Sequence, residues 1–304
     1  MPASEWTKSC SRAKDDSVAT DAPLTHISDT ARWVAMYRAL ESERPDALFR
    51  DPFARELAGP QGEEILRRLP RARQFAWPMI VRTAVMDELI LRTIARDGVG
   101  TVVNLAAGLD TRPYRLPLAP SLRWIEADFP DVIAYKEKML KSERPACILE
   151  RRPIDLTDHA QRGAFFAQIA VAGREGLVVT EGLLIYLTRD QVAALARDLA
   201  EQRLFRFWLL DLATPRLLKF MEKSWSKPLA QAGAPFQFAP AEGTRFFEPL
   251  GWREVEWRSM WDESLRLKRT MRLAWLWAAL GRLGPAAKRE EARRMSGVAL
   301  LGRR

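Results

Sequence analysis

The chain has few of the side chains that most often do chemistry at neutral pH. Its 304 residues include two cysteines and two histidines. Cys10 and Cys147 make no Cys-x-x-Cys pair, and His26 and His159 lie far apart. That argues against a disulfide framework and against a Cys/His zinc site, so no metal is expected. Long apolar runs are also missing. Met1 to Ala22 is polar and has no signal-peptide core. The longest apolar stretch near the end, Leu273 to Leu280, is too short to span a bilayer. These absences predict a cytoplasmic protein with no integral membrane segment. There is no internal repeat and no domain linker.

Charged residues make up 29% and hydrophobic residues 47%, the composition of a soluble globular chain. Lys and Arg total 48 against 39 acids, a net charge of +9. The surplus favours anionic partners only as a long-range bias. A carboxylate substrate, a nucleic acid or an acidic membrane all fit it, and so does simple solubility.

Residues 1–27 read as a disordered tail, small, polar and charged. From 28 to 304 a single domain is expected. Its first part, 28–98, is helical. Ser28-Asp29-Thr30 is placed to cap a helix carrying Trp33, Val34, Tyr37 and Leu40. A Pro-punctuated turn follows over Glu43 to Pro52, then an amphipathic stretch from Phe53 to Leu69. Met86, Leu89, Ile90 and Ile94 keep helical spacing, and Gly98 and Gly100 end that helix.

Over 99–213 the rhythm changes. Short apolar runs at Thr101–Leu105, Leu122–Ala127, Cys147–Ile154, Leu177–Thr180 and Leu204–Leu210 alternate with helical segments. Those segments are Pro130–Ser142, His159–Val171 and Arg189–Gln202, the last with a capping box from Thr188 and Gln191. Strand–helix alternation predicts an α/β fold, a parallel sheet with helices on both faces. Residues 214–248 break the pattern and are rich in Pro, Gly and aromatics: Trp225, Phe236, Phe238, Phe246 and Phe247. Such an insertion is either a substrate lid or a peripheral helix and loop. In 249–304, Val255–Trp257 and Val298–Leu301 are candidate closing strands. A basic, Trp-bearing helix pair, Leu265 to Arg294, lies between them.

The most informative stretch is Thr101 to Arg112, an apolar strand that opens into a loop of small residues. Small residues let a ligand approach the backbone, and ligands of open α/β sheets bind beyond the carboxyl ends of the strands. A pyrophosphate loop needs Gly-x-Gly-x-x-Gly. Here only Gly108 is glycine, and Asp110 would set a carboxylate near the phosphates. This favours an adenosyl ligand without phosphate over a dinucleotide. About twenty residues on, the strand Trp124-Ile-Glu-Ala-Asp128 ends in an acid. A carboxylate there can accept from both ribose hydroxyls. Alternatively, Asp128 caps the helix that begins at Pro130.

These residues, taken with others in order, resemble the leucine carboxyl methyltransferase family. The resemblance is to its bacterial branch of S-adenosylmethionine-dependent O-methyltransferases, which includes enzymes of aromatic polyketide biosynthesis. It rests on Asp29-Thr-Ala-Arg-Trp-Val-Ala, Leu48-Phe-Arg-Asp-Pro-Phe-Ala, Arg82-Thr, Ala107-Gly-Leu-Asp-Thr-Arg-Pro-Tyr-Arg-Leu116, Glu126-Ala-Asp-Phe-Pro130, Ile154-Asp-Leu156 and Glu181-Gly-Leu-Leu-Ile-Tyr-Leu187. It runs from about residue 28 to the end. It implies a Rossmann-like class I methyltransferase fold with a seven-stranded, mostly parallel sheet, an N-terminal helical extension and a lid.

The implied roles carry over position by position. Arg82 resembles the arginine that pairs with the methionine carboxylate of S-adenosyl-L-methionine, a task suited to a bidentate guanidinium. Asp128 resembles the ribose-binding acid, and Asp155 and Leu156 the adenine-contacting pair. Glu181 matches a glutamate lining the cofactor pocket. Tyr186 either faces the substrate or is a core aromatic. Gly108 and Ala106 belong to the cofactor loop, where the family has Leu-Gly-Ala-Gly and this chain has Leu105-Ala-Ala-Gly108. If position 106 needs a positive φ, alanine costs about 1 kcal/mol there. The lysine some members use has no counterpart near Asp46–Asp51.

Methyl transfer is an in-line displacement, so the protein mainly aligns and desolvates the reactants. A carboxylate acceptor needs no general base, whereas a phenol with a pKa of about 10 usually does. With only His26 and His159 available, both outside the matching motifs, no catalytic base is assigned. The expected substrate is therefore a small molecule with an acidic oxygen. The alternatives are a protein C-terminal carboxyl group as acceptor, or a non-catalytic scaffold that keeps the fold. The charge raises a nucleic-acid substrate, but no nucleobase motif or RNA-binding module supports it.

Overall fold

The computed structural model describes residues 27–68, 76–170, 175–221, 235–271, 273, 274, 276, 279 and 285–304, with the side chains of residues 27–29 outside the description. Leu69, Val171, Trp225, the stretch 222–234 and most of 272–284 therefore lie outside the described residues, as does the tail before residue 27.

Seven strands form one sheet in the order β3-β2-β1-β4-β5-β7-β6. They are β1 (Thr101–Leu105), β2 (Arg123–Asp128), β3 (Ile148–Pro153), β4 (Gly176–Thr180), β5 (Phe205–Ala213), β6 (Trp252–Ser259) and β7 (Ser296–Arg303). β1 to β5 run parallel, while β7 pairs antiparallel with both β5 and β6. All seven apolar runs are strands, with ends moved by a few residues. The central β1 and β4 are buried along their whole length, as a strand covered on both faces must be. The chain leaves β1 toward β2 and later returns to β4 on the other side. The point where strand order reverses, the usual ligand site of such sheets, is therefore between β1 and β4.

Three helices precede the sheet: α1 (Ile27–Ser42), α2 (Ala54–Arg68) and α3 (Trp77–Asp97). α2 bends at Gly59, which has φ 61 and is followed by Pro60. α3 has proline in its first turn and ends on Gly98 in the left-handed region, the signal its sequence carries. The cap expected at Ser28-Asp29-Thr30 is not one, because α1 already runs from Ile27. Thr30 instead hydrogen-bonds Tyr186, across the molecule. Helices α4 (Arg112–Arg115), α5 (Pro130–Met139), α6 (His159–Ala170) and α7 (Arg189–Glu201) complete the crossovers. Thr188 and Gln191 form the predicted capping box of α7.

The 214–248 segment divides. Residues 215–221 are helical, and Gly243–Leu250 form a 3-10 helix. Phe238, Phe246 and Phe247 are buried in one core with Trp208 and Trp252. Their rings meet edge to face, with Phe246 and Phe247 centroids 5.0 Å apart. Of the segment's aromatics, Phe246 and Phe247 thus fill the space between α7 and the sheet, where their apolar area is best buried. Trp225 lies outside the described residues. Of the helix pair expected over 265–294, Ala286–Arg293 is helical, as are residues 274, 276 and 279, while a helix at Met260–Arg266 overlaps the range by two residues only. No helix among the described residues is long and apolar enough to cross a membrane.

Candidate active site

A cavity of about 970 Å³ opens at the carboxyl ends of the parallel strands. Arg82, Ala106, Gly108, Asp128, Asp155, Leu156, Glu181 and Tyr186 all line it, although 104 positions separate the first from the last.

β1 delivers the loop. The sharp turn after Leu105 puts Ala106 at φ 53 and Gly108 at φ 48. Ala106 thus holds a conformation that costs an L-residue roughly 1 kcal/mol or more and that glycine adopts freely. A Cβ at Gly108 would stand 3.3 Å from the Ala31 methyl of α1, so the N-terminal helix closes tightly over the loop.

β2 delivers Asp128. Its Oδ2 accepts from the Gly108 N–H at 2.6 Å and its Oδ1 from the Phe129 N–H at 2.7 Å. The helix-cap alternative is not realised, since Phe129 is the residue before α5 and no side chain caps that helix. Burial raises the Asp128 carboxyl above its ordinary range, against the pull of those two N–H donors. The Ile154 N–H donates to the Asp128 carbonyl at 2.8 Å, which sets Asp155 and Leu156 next in line. The Asp155 carboxylate accepts from the Thr157 N–H at 2.8 Å, a turn that fixes its direction.

β4 and β5 deliver a pair of acids. The register places Thr180 opposite Leu210, so Glu181 and Asp211 are neighbours at the strand ends. Arg82, from the second turn of α3, lies across both: its Nε donates to Glu181 at 3.0 Å and its Nη1 to Asp211 at 3.2 Å. Asp211 also accepts from the Gly182 N–H at 2.7 Å. A side chain at Gly182, whose φ is 65, would press on Arg82 at 3.1 Å. Arg112 is the second hub. It donates to Asp87 at 2.7 Å, to Asp110 at 2.8 Å and to the far oxygen of Glu181 at 2.7 Å. Burial opposes the charges on Asp110 and Glu181, but the arginines outweigh it and hold both carboxyls below their usual range. Arg115 adds two bonds to Asp87, giving three arginines against four carboxylates.

Sequence reasoning missed Asp110 and Arg112 as members of this cluster, and Asp211 altogether. Asp211 had a signal, an acid ending an apolar strand, the same one that marked Asp128. Arg38 was also missed; it lines the cavity and bonds Asp51 at 2.8 Å, which in turn holds Thr111 at 2.7 Å. Tyr186 lies at the cavity wall with its ring 5.7 Å from Phe236. Burial raises its hydroxyl pKa. His159 stands apart from the cavity with a largely exposed ring, and His26 lies outside the described residues.

Comparison with known proteins agrees with this geometry. Residues 31–200, more than half of the chain, match the sequence pattern of the family described as leucine carboxyl methyltransferase. A Streptomyces coelicolor protein named "Putative S-adenosyl-L-methionine-dependent methyltransferase" is 37% identical over 187 residues, which are 57% of this chain and 64% of that protein. A Mycolicibacterium smegmatis protein of the same name is 30% identical over 247 residues, 74% of this chain and 82% of the relative. The match to the S. coelicolor protein thus spans a little under two thirds of its length. Among solved structures, a DUF574 family protein from Streptomyces avermitilis superposes with a TM-score of 0.59 at 13% identity, covering 90% of this chain and 97% of that one. A Thermobifida fusca structure gives 0.56 at 13% identity, with 93% and 97% covered. At that identity the structures speak for the Rossmann-like fold alone. With the motifs of residues 31–200 matched and gathered at one cavity, this chain belongs to the leucine carboxyl methyltransferase family.

Proposed function

We propose that this protein is an S-adenosyl-L-methionine-dependent O-methyltransferase acting on an acidic oxygen, a carboxylate first of all, of a small molecule. One observation carries the reading: Asp128, the Gly108 loop, Asp155 and Glu181, from four different strand ends, converge on one cavity at the switch point of the sheet. Asp128 keeps lone pairs for two ribose hydroxyls beyond those used by Gly108 and Phe129. Asp155 and Leu156 stand where an adenine edge needs an acceptor and an apolar contact. Arg82, a guanidinium at the cavity wall, is the group offered to the methionine carboxylate. The surplus of carboxylates over arginines in the cluster favours a ligand that also carries positive charge.

The cofactor supplies an activated methyl group. The chain's residues bind it, exclude water and orient the acceptor oxygen. An ionised carboxylate needs no proton removed, which fits a cavity without a histidine among its described lining residues.

Calorimetric titration with S-adenosylhomocysteine is the test. Wild-type protein should bind it, and Arg82→Lys should lose about tenfold in affinity, because an ammonium cannot reproduce the bidentate contact. The decarboxylated analogue should not distinguish the two. Absence of binding by folded wild-type protein would sink the proposal.

A further inference from the structure

The cavity has two chemically different sides. At the ends of β1, β2 and β4, and at Asp211 of β5, it is built from the loop and the charged cluster. Toward β5 and β7 the wall changes: Leu212, Leu217 and Phe220 come from the end of β5 and the helical residues after it, and Met295 from the approach to β7. Five of the chain's nine methionines, Met79, Met221, Met260, Met271 and Met295, line this one cavity. Methionine is unbranched and polarizable and moulds itself to apolar partners of varied shape.

Two further observations point the same way. The charged lining groups are mostly satisfied from within: Arg82, Asp110, Arg112, Glu181 and Asp211 pair with one another, and Arg38 with Asp51. Some of the large hydrophobic side chains that remain exposed also lie at this cavity. Of seven among the described residues, Phe220, Met271 and Met295, 38–59% exposed, belong to the cavity lining. An apolar rim around a concave site marks a surface built to be covered by a ligand.

We infer that the methyl acceptor is a lipophilic acid, with an extended apolar body that lies along the methionine wall while its acidic oxygen reaches the strand ends. The inference rests on the function proposed above and narrows its substrate class. Recognition of the apolar body is by area rather than by hydrogen bonds, so affinity grows with each methylene until the wall is covered. A peptide carboxy-terminus, with its polar backbone, leaves that wall unsatisfied.

The test is a homologous series of straight-chain monocarboxylic acids. Their binding is measured by equilibrium dialysis against protein saturated with S-adenosylhomocysteine, and their methylation with labelled cofactor. Affinity and kcat/KM should both rise by up to about fourfold per added methylene, the worth of one buried CH₂. Met271→Gln and Met295→Gln, at exposed positions where folding is not at stake, should flatten that rise and leave S-adenosylhomocysteine affinity unchanged. A flat or falling series on protein that binds S-adenosylhomocysteine overturns the inference and leaves the proposed function standing. A leucine-terminated peptide outcompeting the longest acid overturns it too, and moves the proposed acceptor from a small molecule to a peptide carboxylate. Failure to bind S-adenosylhomocysteine at all would instead remove the function on which the inference rests.

Discussion

Two clusters of buried charge sit on either side of Asp128, and they differ in what they are for. In one, Glu126 of β2 is held by Lys136 of α5 at 2.7 Å and by Arg151 of β3 at 2.9 Å. Glu126 and Lys136 are both fully buried, and neither lines the cavity. In the other, Arg82 and Arg112 bind Glu181, Asp110, Asp87 and Asp211 at the strand ends, and most of these groups face the cavity. Both are held by ion pairs, but Glu126 and Lys136 have no exposed side-chain surface, whereas Glu181 keeps 15% and Asp211 22%. What separates them is what lies over them. Glu126 lies two residues short of the carboxyl end of β2, where α5 covers it. Glu181 lies just past the end of β4, and Asp211, two residues before the end of β5, lies beside it; both line the cavity. A buried ion pair alone is therefore no mark of a site.

The sharpest way to break this comparison is to remove one partner from each cluster's surroundings and read stability and affinity separately. Lys136→Met leaves Glu126 buried with Arg151 alone. It should cost about 3–5 kcal/mol of stability in denaturant unfolding, while the folded fraction binds S-adenosylhomocysteine as before. A large loss of affinity there would mean that the two clusters act as one. Asp128→Ala should do the reverse. Affinity should fall by about 1.5–3 kcal/mol, the worth of a hydrogen bond to a charged group, with a smaller shift in the unfolding midpoint. Unchanged calorimetric affinity would take the ribose role from Asp128. The smallest effect is expected at Ala106→Gly. Relief of the positive φ should stabilise the protein by up to about 1 kcal/mol, partly offset by the greater freedom of glycine when unfolded. A lower melting temperature would show that the methyl group makes a contact worth more than the strain.

The strands and the first loop were legible because buried parallel strands are continuous apolar runs, and Leu105-Ala-Ala-Gly108 follows one of them directly. Asp128 was legible by its spacing from that loop. The partners of Arg82 were not, since Glu181 is 99 positions away and Asp211 is 129. Only the register of β4 against β5 brings the two acids to one arginine. Phe246 and Phe247 show the opposite failure. Their clustering with Phe236 and Phe238 was plain, but composition does not say whether aromatics line a pocket or fill a core. Here the former falls to Phe236 and the latter to the other three, although Phe238 reaches both. Asp155 both makes a local turn with Thr157 and lines the cavity, and an acid after a strand looks the same in sequence for either role.

One feature of the sheet bears on how such a protein changes over generations. β6 makes no bond to β5; it is held to the sheet only through β7, which enters between them after residues 260–295 have intervened. That intervening stretch carries Met260, Met271 and Met295 and is anchored at both ends by antiparallel partners. It can lengthen, shorten or exchange its side chains without altering any strand neighbour, whereas loss of β7 would unseat two strands at once. The loop and acids on the β1–β4 side have no such latitude, because each position answers to several others. If that wall selects the acceptor as inferred above, the acceptor can change while the strand order that holds the loop and acids stays as it is.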